Sequence, residues 1–262
     1  MMAQADQMKL PVIRGLIDRR ILVNYRIDPQ VIAGQLPAPF RPQIVGGYGM
    51  AGICLIRLKH VRPTFLPPWF GIASENAAHR VAVEWDQAGT VRQGVFVRRR
   101  DTSSWANSMA GGRVFPGVHH RAAFTVGETS DRFNVALRSD DGQTQVAVRG
   151  RLAADLPPGS IFGSTAEASA FFRAGSLGYS PDAAACCFQG LELRCRDWHV
   201  EPLAIDEVHS SYFDDRSLFP RGSIEFDCAL LMRGIEHEWH AADDLCSAAT
   251  ERPRPCESAA AS

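Results

Sequence analysis

The sequence predicts a mainly β (α+β) fold: an antiparallel, closed or nearly closed β-barrel with a few short helices. Apolar stretches with strand-like alternation recur along the chain, and turns rich in Gly, Asp and Pro separate them. Only a few short stretches carry helix caps. Closure into a barrel is the usual way for so many strands to avoid exposed edges.

The elements follow in order. Ile21–Ile27 reads as a strand. Asp28 caps a short helix with Pro29 at its first position, and Pro37 and Pro39 end it just after Leu36. Tyr48–Val61 alternates loosely and reads as a long strand. In His79–Trp85, Val81, Val83 and Trp85 share one side while Arg80 and Glu84 share the other. The turn Gln87-Ala88-Gly89 joins this strand to Val91–Arg99 as a hairpin. Ser103 or Ser104 caps a helix that Gly111-Gly112 stops. Val118–Val126, Phe133–Ser139 and Gln145–Ala153 are strands, the last two joined by the turn signal Asp140-Asp141-Gly142. Thr165–Arg173 is helical, with Thr165 a cap and Gly175 a stop. Gly190–Arg196, His199–His209 and Ser223–Glu238 are further strands. The large aromatics Trp69, Phe70, Trp85, Trp105, Trp198 and Trp239 are assigned mostly to the core.

The chain of 262 residues has room for one large β-rich domain or two small ones. Neither a linker nor a repeat interrupts it. It therefore divides into a lead-in at residues 1–14, a single domain at 15–240, and a disordered Ala/Ser/Pro-rich tail at 241–262. A net charge of −1 and the lack of a basic-aromatic motif argue against nucleic acid as a partner. No run of 18 apolar residues exists and the start lacks a signal-peptide pattern, so the expected location is the cytoplasm, with no membrane partner. Seven cysteines, an odd number, argue in that compartment against a disulfide framework. Their spacing matches no zinc template, and they read as buried small hydrophobes plus two thiols in the tail. The basic residues are almost all arginine: Lys9 and Lys59 are the only lysines, so a lysine imine has two possible positions.

Residues 111–121, GGRVFPGVHHR, carry a resemblance, together with ENAAHRVAVEW (75–85), RRRDTSSWANSMAGGRVFPGVHH (98–120), FFRAGSLGYSP (171–181), GLELRCRDWHVEPL (190–203) and LLMRGIEHEWH (230–240). These segments, and the strand–helix–strand opening, resemble the acetoacetate-decarboxylase-like superfamily over residues 15–240. The match is closer to a bacterial branch that lacks the Schiff-base lysine. In the decarboxylases a Tyr-Pro pair precedes two lysines, the first forming the imine; here Phe115-Pro116 precedes Gly117-Val118. The resemblance thus implies the barrel and a small-molecule cavity without that reaction. It also implies that Glu75 stands where a glutamate orients the substrate, and that the chain assembles as a homo-oligomer.

The candidate chemistry surrounds that segment. By alternation Arg98 and Arg100 share one side of their strand, where either can clamp a carboxylate; the alternative is a solvated strand end paired with Asp101. His120 lies on the apolar face of its strand with Val118, Ala122 and Phe124, as a proton carrier or a hydrogen-bonded core histidine, while His119 points the other way. Glu75 either orients a ligand or sits in an ion pair that braces the barrel. Arg113, beside Gly111-Gly112, is positioned to reach the cavity. His237-Glu238-x-His240 is not a metal motif, because on a strand the two histidines face opposite sides. No metal and no cofactor are expected. Two functions are consistent with this set. One is an enzyme doing lysine-independent acid–base chemistry on a small anionic metabolite, with Glu75 and His120 catalytic and Arg98, Arg100 and Arg113 holding the ligand. The other is a non-catalytic small-ligand-binding barrel.

Overall fold

The computed structural model describes residues 11–105, 117–182 and 187–246. In chain order the elements are β1 (Ile13–Ile27), α1 (Pro29–Ala33), β2 (Arg41–Pro42), β3 (Ile44–Val45), β4 (Tyr48–Pro63), β5 (Ile72–Gln87) and β6 (Thr90–Thr102). Then follow β7 (His119–Glu128), β8 (Arg132–Ser139), β9 (Gln145–Leu152), α2 (Thr165–Ala174), β10 (Leu177–Pro181), β11 (Cys187–Cys195), β12 (Glu201–Ser210) and β13 (Ile224–Cys246). A 3-10 turn, Pro68–Phe70, lies between β4 and β5.

Local chemistry sets the boundaries. The Asp28 carboxylate accepts from the Gln30 and Val31 N–H groups and starts α1. Ala88 and Gly89 both take positive φ, which closes the two-residue turn between Gln87 and Thr90. Ser164, one residue before the expected Thr165, caps α2 through the Glu167 N–H. The helix expected after Ser103 falls largely outside the described residues. β1 begins at Ile13, eight residues before the apolar run that announced it, and β13 continues to Cys246, past the point where a tail was expected.

The fold is mainly β, and its sheet is mixed rather than antiparallel. β6 pairs in parallel with β10 through Val95 and Phe96, and in parallel with β7 through Arg100, Asp101 and Thr102. β6 is thus a fork. One branch runs β10–β11–β13 and the other β7–β8–β9–β12–β13; both return to β6 through β1, β4 and β5. Parallel partners need a crossover rather than a hairpin, which sequence alternation does not reveal.

The shared strands β1, β4, β5 and β13 have an apolar cluster on each face. Ile21, Val23, Ile53, Leu55, Val83, Trp85 and Leu231 belong to one, and Leu22, Cys54, Ile56, Leu58, Leu230 and Met232 to the other. Burial on both faces makes these strands read as near-continuous apolar runs, hence the loose alternation of β4. Gly52 is required where β1 and β4 meet, since a Cβ there would lie 2.2 Å from the Val23 carbonyl oxygen.

Two sequence expectations are corrected. Trp69, Phe70 and Trp105 are largely exposed, whereas Trp85 is fully buried. The proline-rich turn lifts Trp69 and Phe70 off the sheet. Cys187 and Cys246 form a disulfide. They are direct partners in the β11–β13 ladder, 4.2 Å apart at Cα, although 59 residues separate them in sequence. Cys54 and Cys228 are buried free thiols.

Candidate functional site

A cavity of about 130 Å³ lies between the shared strands and the shorter branch. Cys54, Ile56 and Leu58 of β4, Asn76, Ala78 and Arg80 of β5, and Val95, Val97 and Arg100 of β6 form one side. Arg20 of β1, His119 of β7, Leu191 and Leu193 of β11, and Trp239 of β13 complete the wall.

The three arginines define its electrostatics. Arg80 is 8% exposed; its Nη2 donates to Asn24 Oδ1 at 2.8 Å, its guanidinium lies over the Phe172 ring, 5.1 Å from the centroid, and its Nε has no partner among the described residues. The Nε of Arg100 donates to Ser180 Oγ at 3.1 Å. Arg20 points its Nε at Cys54 Sγ, 3.3 Å away. All these acceptors are neutral. Among the described residues none of the three guanidiniums has a carboxylate within ion-pair distance. Burial lowers Arg80 to about 10, and the Arg20 charge contributes in the same direction. Burial lowers Arg100 to about 10 as well. Both remain cationic at neutral pH.

Asp101 is the acidic residue of the wall, and Arg99 already engages it with Nε at 3.0 Å and Nη2 at 2.9 Å. Arg99 also binds Asp141. The Asp141 carboxyl lies below the usual carboxylate range: burial raises it, but Ser139, the Gln143 N–H and Arg99 outweigh burial. His119 is lowered to about 4, chiefly by burial and then by the Arg100 charge, so the cavity holds a neutral imidazole at pH 7.

The structure rearranges the residues singled out by sequence. Arg98 and Arg100 do not share a side. His79 pairs with Arg99 and Arg80 with Val97, so Arg98 is the extra residue of a β-bulge. Arg98 stacks over Tyr212 at 5.2 Å, while Arg100 faces the cavity. The histidines exchange places relative to expectation. His119 lines the cavity, and His120 Nδ1 lies 3.1 Å from Asp141 Oδ2 outside it. Glu75 is not on the wall. It accepts from Arg19 Nη2 and Arg57 Nε, each at 2.5 Å, inside a cluster that includes Glu128, Asp18 and Lys59. Arg113 lies outside the described residues. Lys59 is bound to Asp18 at 2.9 Å and does not line the cavity.

Arg20, Arg80 and Cys54 were not expected at the site. Their signal is present but faint: Arg19 and Arg20 are adjacent on a strand buried on both faces, so one must enter each face. Among the described residues no three His, Cys, Asp or Glu side chains group as metal ligands.

The buried histidines make stability acid-sensitive. His79 and His237 are, like His119, lowered to about 4 by burial. Above pH 6.5 these groups are neutral folded and unfolded, and their contribution to stability is fully present. Below it the unfolded chain takes up protons that the folded chain refuses, until the folded histidines titrate near 4. The expected loss approaches about 1.4 kcal/mol per pH unit for each histidine. Asp101, raised by burial, offsets part of it at the acid end. Urea midpoints measured from pH 7.5 to 4.5 should fall steadily below 6.5; a flat profile would contradict burial of the neutral rings.

Sheet topology and cavity together define a class. Solved structures of similar fold include an acetoacetate-decarboxylase-like enzyme from Sphingomonas wittichii RW1, at 12% identity and TM-score 0.53, covering 94% of this chain and 98% of that one. Acetoacetate decarboxylase from Legionella pneumophila matches at 13% identity and TM-score 0.55, with 93% of each chain covered. The enduracididine biosynthesis enzyme MppR, complexed with pyruvate, matches at 11% identity and TM-score 0.53, again with 93% of each chain covered. At these identities the likeness is one of fold, and the fold is acetoacetate-decarboxylase-like. The DUF2071 family, described as an uncharacterized conserved protein, matches residues 17–221, and the chain belongs to that family. Comparison with curated proteins gives no match. Among the described residues no helix is long and apolar enough to cross a membrane.

Proposed function

We propose that the shorter circuit of strands forms a barrel whose cavity binds a small anionic metabolite, a carboxylate, and acts on it without a lysine imine. One observation carries the reading: Arg20, Arg80 and Arg100 converge on a cavity whose remaining wall is mostly apolar, and among the described residues no carboxylate lies within ion-pair distance of them. Uncompensated buried charge opposes folding, so a site that keeps it is best explained by an anion that arrives from solution. The pyruvate held by one enzyme of the same fold belongs to this ligand class.

The guanidiniums would bind and orient the carboxylate, and the neutral imidazole of His119 would accept a proton from the ligand and return it. His119 therefore takes the role that sequence gave to His120, and Glu75 acts as a structural brace. Binding without turnover is the second reading. It is favoured by the lack of any lysine among the described residues of the cavity wall, with Lys59 tied to Asp18.

Titration calorimetry with two- to four-carbon carboxylates is expected to show saturable binding at one site per chain, abolished by Arg80→Met. A panel without a binder, or binding that Arg80→Met leaves intact, would contradict the reading. Borohydride treatment with a β-keto acid is expected to leave the protein mass unchanged; an adduct on Lys59 would restore imine chemistry.

A further inference from the structure

We infer that the preferred occupant of the cavity is a small dicarboxylate, held at both ends, rather than a monocarboxylate. The inference rests on the reading of the cavity as an anion site.

Charge is the first argument. As hydrogen-bond acceptors Arg20 and Arg100 meet neutral sulfur or hydroxyl groups and Arg80 the Asn24 amide oxygen, and the guanidiniums of Arg20 and Arg80 also lie over the uncharged rings of Trp198 and Phe172. Asp101 is taken up by Arg99. A single carboxylate would compensate one of three guanidiniums and leave two in a poorly solvated site, whereas a dianion leaves one.

Placement is the second argument. Arg20 and Arg80 approach the cavity from β1 and β5, the two strands flanking β4, and Arg20 touches Cys54 on β4. The charge of Arg20 also bears on Arg80. Arg100 lies on β6, in register with His119 across the parallel β6–β7 pair, and its charge bears on that imidazole. The site therefore has two positive ends, Arg20 with Arg80 at one and Arg100, beside the neutral His119, at the other. Apolar side chains of Ile56, Val97, Leu191 and Leu193 also line the wall.

Size is the third. An apolar cavity of about 150 Å³ accepts benzene, so the present volume of about 130 Å³ suits roughly six to eight non-hydrogen atoms. Malonate and succinate have that size, with carboxylates at both ends and methylenes for the apolar middle.

The test is titration of the full chain at fixed ionic strength with malonate, succinate, pyruvate and inorganic phosphate. Malonate or succinate is expected to bind at least about tenfold more tightly than pyruvate, which is nearly the size of malonate, because each end gains a charge-assisted pair. Arg100→Gln is expected to reduce the dicarboxylates to the level of pyruvate while shifting pyruvate less than about threefold. Should Arg100→Gln fold poorly, the wild-type series decides alone. Equal affinity for pyruvate and malonate would overturn the dicarboxylate and leave the anion site standing. Phosphate binding more tightly than either dicarboxylate would overturn the two-ended arrangement. No binding of any of the four by folded protein would overturn both.

Discussion

Arg80→Met should raise the thermal midpoint of the ligand-free protein by about 1–3 °C and remove its stabilisation by small carboxylates. Most truncations of a buried side chain destabilise, so the sign is diagnostic. The Arg80 guanidinium is nearly inaccessible and lacks an ionic partner among the described residues. Its fall to about 10, well below the ordinary guanidinium range, means that burial disfavours the cation relative to the unfolded chain. At about 1.4 kcal/mol per pKa unit, the buried charge costs roughly 3 kcal/mol at any pH well below 10. Methionine fills the space with an apolar side chain and removes the charge, and with it the cation–π contact over the Phe172 ring. Asn24 Oδ1 loses its donor, which returns about 1–2 kcal/mol, and the lost ring contact returns about 0.5–1 kcal/mol more, so a net gain of about 1 kcal/mol remains. Differential scanning calorimetry with and without malonate reads both halves of the prediction. A lower midpoint without ligand would make Arg80 a structural brace and withdraw the main support for an anion site. Stability held back to keep a binding group in place is a common trade.

Glu75→Gln should act in the opposite way, lowering stability by about 3 kcal/mol and the midpoint by about 6–12 °C without changing ligand affinity. Arg19 is only 2% exposed, and its side chain is compensated by Glu75 and Glu128. Removing one carboxylate leaves a buried guanidinium half-compensated, the costly way to break an ion pair. Arg57 loses its 2.5 Å partner at the same time. A variant that melts normally but no longer binds carboxylates would return Glu75 to the site as a ligand-orienting residue.

The two variants show how far the chain could be read before it was folded. The long strands β1, β4, β5 and β6, the Ala88-Gly89 hairpin and the Gly142 turn follow from local chemistry that a sequence displays, whereas the two-residue strands β2 and β3 do not. The two parallel pairings of β6 do not, since they depend on which distant strands meet. The site was legible in residue type and neighbourhood but not in facing. One inserted residue at Arg98 shifts the register of β6 and separates Arg98 from Arg100, and strict alternation cannot see it. The same rule put His120 inside, whereas β7 presents His119 to the cavity. Arg20 stayed hidden because a strand buried on both faces lacks a polar side against which an inward arginine would stand out, and Arg80 read with Glu84 as the polar side of its strand, although that side packs on the second apolar cluster. The Cys187–Cys246 bridge shows the same limit: the cysteines meet through strand register, not through spacing.

The central claim is that Arg20, Arg80 and Arg100 together form an anion site. A crystal structure of the protein grown or soaked with malonate tests it most directly. The account predicts density for malonate inside the cavity, its oxygens within hydrogen-bond distance of all three guanidiniums. Water alone in the cavity at saturating malonate, or malonate bound only on the outer surface, would contradict it.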